Sequence, residues 1–206
     1  MMRQIIQGEE GMTAYIALAV VVVIVIWAVA IYNRLRTYKN QVENAFAQID
    51  VQLKRRHDLI PNLVEVARGY MQHEAQTLEA VIRARSTAVS AADEARQSPG
   101  QAQAMGALMV AEQALVGQMG RLMALAEAYP TLKADARMQQ LSEEITSTEN
   151  RIGFARQAYN DQVLDFNNEA SQFPDLIVAR LAGFAHMEML QSTQNEQERA
   201  VPQVKF

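Results

Sequence analysis

The sequence of 206 residues contains no cysteine, which excludes disulfides, thiolate zinc sites, iron–sulfur clusters and a cysteine nucleophile. Its only histidines are His57, His73 and His186, and their spacing matches no metal-binding motif. Neither a GxSxG turn nor a glycine-rich phosphate loop occurs in it. We therefore expect a protein that is not an enzyme, with no catalytic residue and no bound metal or cofactor.

Glycine and proline are also scarce, with 9 and 5 residues, and aromatic residues make up only 6% of the chain. Half of the residues are hydrophobic, and Ala, Leu, Gln, Glu and Arg dominate, which favours helices over strands. The formal net charge of -4 does not attract a polyanion, so we expect no binding to nucleic acid. The composition indicates an all-α protein with one ordinary domain and a smaller element.

Charge is missing from one long stretch, residues 12–32, which runs for 21 residues without Asp, Glu, Lys or Arg. As an α-helix it is about 31 Å long, the thickness of the hydrocarbon core of a bilayer. Tyr15 lies near one end, and Trp27 and Tyr32 lie toward the other, where aromatic rings favour the headgroup region. A cleaved signal peptide is the alternative, but the run is too long and no clear cleavage site follows it. We interpret the stretch as a retained transmembrane helix.

The charges that flank this helix predict its orientation. Residues 1–11 contain Arg3 beside two glutamates, whereas three cations follow the helix directly: Arg34, Arg36 and Lys39. Because cations favour the cytoplasmic side, the N-terminal segment is predicted to lie outside and the rest of the chain in the cytoplasm. The same cations can contact anionic lipid.

Apolar residues recur at steps of three and four over residues 33–173, which predicts four long helices, the first continuous with the transmembrane helix. Breaks are predicted at Ser98-Pro99-Gly100 and at Tyr129-Pro130. Since the connections are short, we expect an elongated, antiparallel, up-and-down four-helix bundle. The first apolar stripe comprises Leu35, Tyr38, Val42, Phe46, Ile49 and Leu53, and the last runs in heptad rhythm from Met138 to Phe173.

The boundary between the first two of these helices is ambiguous in the sequence. The apolar phase continues through Ile60 and Leu63, which suits one kinked helix, whereas Pro61 removes a backbone hydrogen bond and clashes with the preceding turn. Asp58 can cap a new helix that has Pro61 in its first turn. We favour a tight reversal at residues 57–61.

The dipeptide Phe173-Pro174 ends the fourth helix, and Asp175 can cap a shorter amphipathic helix over residues 174–190. The apolar side of this helix carries Leu176, Ile177, Leu181 and Phe184. That side can pack on its own bundle, lie on the membrane or contact a neighbouring copy. A polar tail follows over residues 191–206, and its end, with Phe206, has the character of a short extended peptide that can dock.

Three segments of the chain closely resemble the LemA family of bacterial membrane proteins: RRHDLIPNL (55–63), EAYPTLK (127–133) and ENRIGFARQAYN (149–160). The resemblance covers nearly everything from Tyr32 to Phe184. It implies a short outer N-terminus, an N-terminal helix in the bacterial inner membrane, a cytoplasmic helical bundle and no assigned catalytic activity. The ending Val204-Lys205-Phe206 is similar to that of the family with Lys205 in place of an acid, whereas Met187 to Gln203 departs from the family pattern.

The densest polar cluster contains four candidate interaction residues, Arg55, Arg56, His57 and Asp58. A histidine beside a carboxylate can act as a pH switch, and the cations can bind an anion. A capped helix turn with solvated cations explains the same residues, and we favour that structural interpretation. Phe206 and the apolar side of the 174–190 helix complete the set of candidate contacts.

Two classes of function fit these features. The first is a non-enzymatic scaffold, anchored in the membrane, that acts through homo-oligomerisation and protein contacts on the cytoplasmic face. The second is an adaptor or sensor that passes a signal to a cytoplasmic partner, although residues 1–11 are too few to form a ligand-binding domain. The expected contacts are therefore the lipid bilayer, further copies of the chain and an unidentified protein.

The charge asymmetry around the span yields a prediction of topology. A reporter fused after Phe206 should be active in the cytoplasm, and a reporter fused before Met1 should be active outside, because Arg34, Arg36 and Lys39 retain their side of the helix in the cytoplasm. Paired enzymatic reporters for the two compartments measure this directly. Periplasmic activity of the C-terminal fusion would overturn the orientation.

Overall fold

The computed structural model describes residues 2–190, with side chains from Tyr15 onward, and every regular element in that range is a helix. The all-α prediction is confirmed. The predicted tail over residues 191–206, including Phe206, lies outside the described residues. The helices are α1 (Met2–Tyr70), α2 (Ala75–Gln97), α3 (Ala102–Ala126), α4 (Pro130–Lys133), α5 (Ala136–Ser171) and α6 (Asp175–Leu181).

Helix α1 runs without a break from the predicted membrane span into the part of the chain with alternating apolar and polar positions. Its N-terminal part is long and apolar enough to cross a membrane by length and composition. The apolar side chains of this part, among them Ile16, Leu18 and Val23, are exposed and do not form a protein core. Such a surface is compatible with a nonpolar environment such as the interior of a bilayer.

The reversal predicted at residues 57–61 is wrong, because Pro61 lies inside α1 and the helix ends only at Tyr70. Asp58 occupies an exposed position within the helix and does not cap its start. The apolar phase explains the outcome, since Ile60 and Leu63 are fully buried. Their burial, with that of the next turn, offsets the cost of about 3 kcal/mol for a proline inside a helix. The break between α1 and α2 lies instead at residues 71–74.

A contact with α2 compensates for the hydrogen bond that Pro61 cannot make. In a regular helix the amide of residue 61 donates to the carbonyl of His57, but proline has no N–H. The Nε–H of Arg85 in α2 donates to this carbonyl oxygen at 2.6 Å. A side chain from the next helix therefore satisfies the backbone oxygen that Pro61 leaves free.

The described residues form two compact units, and α1 and α5 contribute to both. The first unit contains residues 2–40 and Asp165–His186, and the second contains Gln41–Leu164 and residues 187–190. The first has a small core of three buried residues with three partly buried ones packed against them: Ile31, Leu35 and Ala179 with Ala170, Val178 and Phe184.

The core of the second unit follows most of the predicted apolar positions. In α1 the buried positions include Val42, Phe46, Ile49 and Leu53, as the stripe predicted. Phe46 packs edge to face on Tyr159 of α5, with ring centroids 6.0 Å apart. Phe173, the last residue of the predicted heptad stripe, is exposed instead and lies in the first unit.

Helix α6 is shorter than the predicted helix over residues 174–190, because a glycine ends it after Leu181. Gly183 has a φ of +73°, a left-handed conformation that favours glycine. The amide of Phe184 donates to the carbonyl of Ala179 at 2.9 Å, and that of Gly183 donates to Arg180 at 3.3 Å. These two bonds form a Schellman motif, which satisfies the last carbonyls of the helix and turns the chain away.

The geometry at Pro61 predicts a dependence between two side chains in different helices. Arg85→Met should lower the free energy of unfolding by about 1–3 kcal/mol, because it leaves the buried His57 carbonyl without a donor. In a Pro61→Ala background, Arg85→Met should lower the free energy of unfolding clearly less, because the amide of residue 61 can then donate to the His57 carbonyl. Urea titration of the four detergent-solubilised proteins completes the cycle. An equal cost of Arg85→Met in both backgrounds would contradict the compensation.

Candidate functional site

A buried polar cluster links α1 to α3 inside the second unit. Arg56 Nη2 donates to Glu112 Oε2, and His57 Nε2 lies 2.8 Å from Glu112 Oε1. The side chains of Arg56, His57 and Glu112 are only 6%, 4% and 14% exposed. Because an ionised carboxylate only accepts hydrogen bonds, His57 carries its proton on Nε2 when Glu112 is ionised. One carboxylate thus joins two consecutive α1 side chains to α3.

Electrostatics within this cluster favour the ionised carboxylate. Burial acts to raise the pKa of Glu112, but the hydrogen bond from His57 and the charge of Arg56 outweigh it. The pKa of Glu112 consequently lies below its ordinary value. Arg56 Nε is buried without a hydrogen-bond partner, so the ion pair with Glu112 is its charge compensation among the described residues.

The structure separates the four cationic and acidic residues that the sequence grouped together. Arg56 and His57 are internal, and their anion is Glu112 of the same chain. Arg55 lies on the surface with its Nη2 at 3.9 Å from Glu144, and Asp58 is exposed. Glu112 was missed by the sequence analysis. Its signal in the sequence was a lone acid on the apolar side of α3, an otherwise strongly hydrophobic helix.

A groove of about 280 Å³ opens beside the cluster in the second unit. Its charged lining consists of Arg56, Glu112, Glu149 and Arg156, so two cations face two carboxylates. The apolar lining is larger and includes Ile49, Leu53, Leu108, Met109, Val116, Ile152 and Leu190. A groove of this kind suits an apolar group with polar ends, such as part of a peptide. Among the described residues no group of His, Asp and Glu is arranged to hold a metal ion.

The last described residues, 187–190, are fixed along the second unit by specific hydrogen bonds. The Asn160 side chain both donates to the Leu190 carbonyl at 2.9 Å and accepts from the Leu190 amide at 2.8 Å. The Tyr159 hydroxyl donates to the Glu188 carbonyl at 2.9 Å, and the Glu188 amide donates to the Gly100 carbonyl. Burial, and then the charge of Glu188, raise the pKa of Tyr159, so its hydroxyl remains a donor.

Glycine is required at the loop that receives this segment. Gly100 has a φ of +82°, and an added Cβ would lie 2.9 Å from the Met187 side chain. Sequence analysis placed Ser98-Pro99-Gly100 correctly as a loop, yet nothing local to it indicates that a segment near residue 187 packs on it.

Several predicted anchor residues have contacts of their own in the first unit. Arg34 forms ion pairs with Asp175 and with Glu169, the latter at 2.6 Å, and so fastens α6 to α1. Tyr32 packs on Phe184 with ring centroids 5.6 Å apart. Asp175 lies in the first turn of α6, where it binds Arg34 and makes no side-chain cap.

The remaining predicted anchor and contact residues differ in exposure. The anchor residues Tyr15, Trp27 and Arg36 are exposed, and Lys39 is partly buried. In α6 and just beyond it, Leu176 and Phe184 are partly buried, whereas Ile177 and Leu181 are exposed. The predicted apolar side of this helix therefore divides into a packed part and a free part.

The buried Glu112 predicts a specific loss of stability in acid. Its lowered pKa means that the ionised carboxylate stabilises the fold above the ordinary value of 4.5, and that this contribution is lost as the pH falls through the lower folded-state pKa. At neutral pH, Glu112→Gln should reduce the free energy of unfolding by about 3 kcal/mol, because Arg56 loses its counter-charge. The difference from wild type should shrink below pH 4.5.

Urea titrations of wild type and Glu112→Gln across this pH range provide the measurement. Glu143→Gln is the matched control, since Glu143 is exposed in α5 and should change stability little at any pH. A constant difference between wild type and Glu112→Gln at every pH would refute the role of the charge.

Comparison with known proteins identifies relatives of this chain. The LemA family model matches residues 45–206. The magnetosome protein MamQ 2 of Paramagnetospirillum magneticum is 25% identical over 175 residues, which cover 78% of this chain and 64% of that protein. MamQ of Magnetospirillum gryphiswaldense is 23% identical over 76% of this chain and 63% of its own length. Protein LemA of Metamycoplasma hominis is 26% identical over 80% of this chain and 70% of its own.

The chain thus spans less than two thirds of the length of the MamQ relatives. The family match extends from the middle of α1 through the last residue of the sequence, so it includes the Arg56–His57–Glu112 cluster and the groove. These relatives and the long apolar helix are compatible with a membrane-associated helical protein. The extent of the family match places the chain in the LemA family.

Proposed function

We propose that this protein is a non-enzymatic scaffold of the bacterial inner membrane, which works by contacts between its own copies and with other proteins. In this proposal residues 12–32 cross the membrane with the N-terminus outside. The four long helical segments α1, α2, α3 and α5 form an antiparallel bundle in the cytoplasm. The outer face of α3 provides the surface for contacts between copies.

The observation that carries the proposal is the lack of charge on the outer face of α3. Exposed positions recur there at steps of three and four over four turns: Gln103, Ala107, Val110, Ala114 and Gly117. We call this set the α3 face. Val110 is a large apolar residue that is 66% exposed, and the others are small or uncharged. A solvated helix face ordinarily carries charged residues, so this one has the composition of a contact surface.

One of the two charges of α3 points inward, and the other lies on the outer side, one turn beyond the α3 face. Its sequence over Ala102–Ala126 contains only Glu112 and Arg121 as charged residues. Glu112 points into the second unit and is neutralised there by Arg56. Arg121 lies at the C-terminal end of the exposed side. Small side chains over the intervening turns allow a second helix to approach closely.

A membrane anchor makes weak contacts between copies effective. Chains held by parallel transmembrane helices share one surface, which raises their effective concentration for one another. A modest helix–helix contact through the α3 face is then sufficient for assembly. The similarity to the magnetosome proteins MamQ 2 and MamQ supports a membrane-associated role.

The proposal predicts that a charge on the α3 face disrupts assembly. When the protein is extracted with its lipid in native nanodiscs, Ala114→Glu should convert the multimer to smaller species, because pairing of the faces would bury an uncompensated carboxylate. The helix itself should remain folded, since Ala114 is exposed. Mass photometry measures the distribution of species, and circular dichroism checks the helix content.

Ser86→Glu is the control, because Ser86 is an exposed position of α2 next to Arg83, on a face that already carries charge. It should leave the multimer intact. A wild-type protein that is monomeric would sink the scaffold proposal, and an Ala114→Glu multimer of unchanged size would remove the α3 face from it.

A further inference from the structure

We propose that the exposed side of α6 lies in the lipid headgroup region beside the anchor, so that α6 is a second point of membrane contact. The exposed side of the helix carries Ile177 and Leu181, and exposed Phe173 lies two residues before the helix; we call these three residues the α6 stripe. The inference rests on the proposed membrane anchor. It adds a lipid-binding surface that is separate from the span itself.

The position of α6 on α1 sets its depth. Ala179 of α6 is buried against Ile31 and Leu35 of α1. The uncharged span ends at Tyr32, and Leu35 lies about 4.5 Å farther along the helix axis. Helix α6 is therefore fastened within one turn of the end of the hydrocarbon span, where the headgroups begin. The Tyr32–Phe184 ring contact and the Arg34–Asp175 ion pair hold it there.

The two sides of α6 are distinct. Asp175 and Ala179, four residues apart, face the first unit and are 2% exposed. Ile177 and Leu181, also four residues apart, lie on the opposite side of the helix and are 52% and 84% exposed. Phe173, two residues before the first residue of α6, is 82% exposed. Three large apolar side chains exposed in one short segment are a costly surface in water. Packing on the protein's own α1 uses the first side only, so the stripe is left for another partner.

Lipid is the partner that matches the surroundings of the stripe. The exposed apolar surface of α1 leads directly to the point where α6 is attached, so one partner can cover both surfaces. Arg180 is exposed and directly precedes Leu181 in the sequence. Its long side chain can reach headgroup phosphates while the α6 stripe enters the acyl region. Exposed Arg36, close to the same attachment point, adds a second cation for anionic lipid.

The single tryptophan of the chain makes a direct test possible. Trp27 lies in the span and reports on the anchor. In a Trp27→Phe background, Leu181→Trp places the only tryptophan on the α6 stripe, at an exposed position where it does not threaten folding. Both full-length proteins are placed in nanodiscs of mixed neutral and anionic lipid, with acyl chains either unmodified or brominated near the headgroup.

Bromine quenches tryptophan fluorescence on contact. The inference predicts that brominated lipid quenches the fluorescence of the Leu181→Trp variant to an extent comparable with that of Trp27 in the wild type. Val178→Trp in the same background is the control, because Val178 is partly buried and packs against the Ile31–Leu35–Ala179 core. It should be quenched clearly less. A circular dichroism spectrum equal to that of wild type confirms the fold of each variant.

The outcomes separate the inference from the proposal on which it rests. Quenching of Trp27 without quenching of Leu181→Trp would leave the anchor in place and overturn the inference, as would equal quenching at positions 181 and 178. If the tryptophan emission of Leu181→Trp is blue-shifted but not quenched, the stripe contacts a second protein copy, and this result also overturns the inference. Unquenched Trp27 would refute the membrane anchor itself.

Discussion

The shared carboxylate of Glu112 is the interaction on which the rest of the second unit depends. It takes the charge of Arg56 and the ring N–H of His57 in a region where an unpaired charge is strongly unfavourable. The same turn of α1 presents the carbonyl released by Pro61 to Arg85 of α2. A single turn of α1 therefore binds α3 through its side chains and α2 through its backbone, and both contacts fix the rotation of α1 in the unit.

This arrangement explains which parts of the fold the sequence predicts. Periodicity located the buried positions of α1, such as Phe46 and Ile49, because burial of a helix face leaves a local pattern in the sequence. The break at Pro61 was predicted wrongly because its compensation comes from Arg85, a residue that no local pattern connects with it. The end of α6 has a local signal in the sequence, since glycine is common just after the last residue of a helix and Gly183 occupies that position.

The candidate site was less accessible to sequence reasoning than the fold. Arg56 and His57 attracted attention as charged residues, but their role is decided by Glu112, which is distant in sequence and buried. Leu190 lines the groove, and its backbone is bound by Asn160, a contact between residues 30 positions apart. Charged residues in a helical chain can be recognised as a cluster from sequence, whereas their partners depend on how the helices pack.

In the proposed function three surfaces of the chain make contacts: the apolar span of α1, the stripe of α6 and the uncharged face of α3. Its central claim is that the α3 face contacts another copy of the chain. The most direct test is a photo-crosslinking amino acid at Val110, with the same group at Ser86 for comparison, activated in intact membranes and analysed by mass spectrometry. The account predicts adducts between two copies from position 110 and few from position 86. Adducts from position 110 only to lipid or to other proteins, or none, would contradict it.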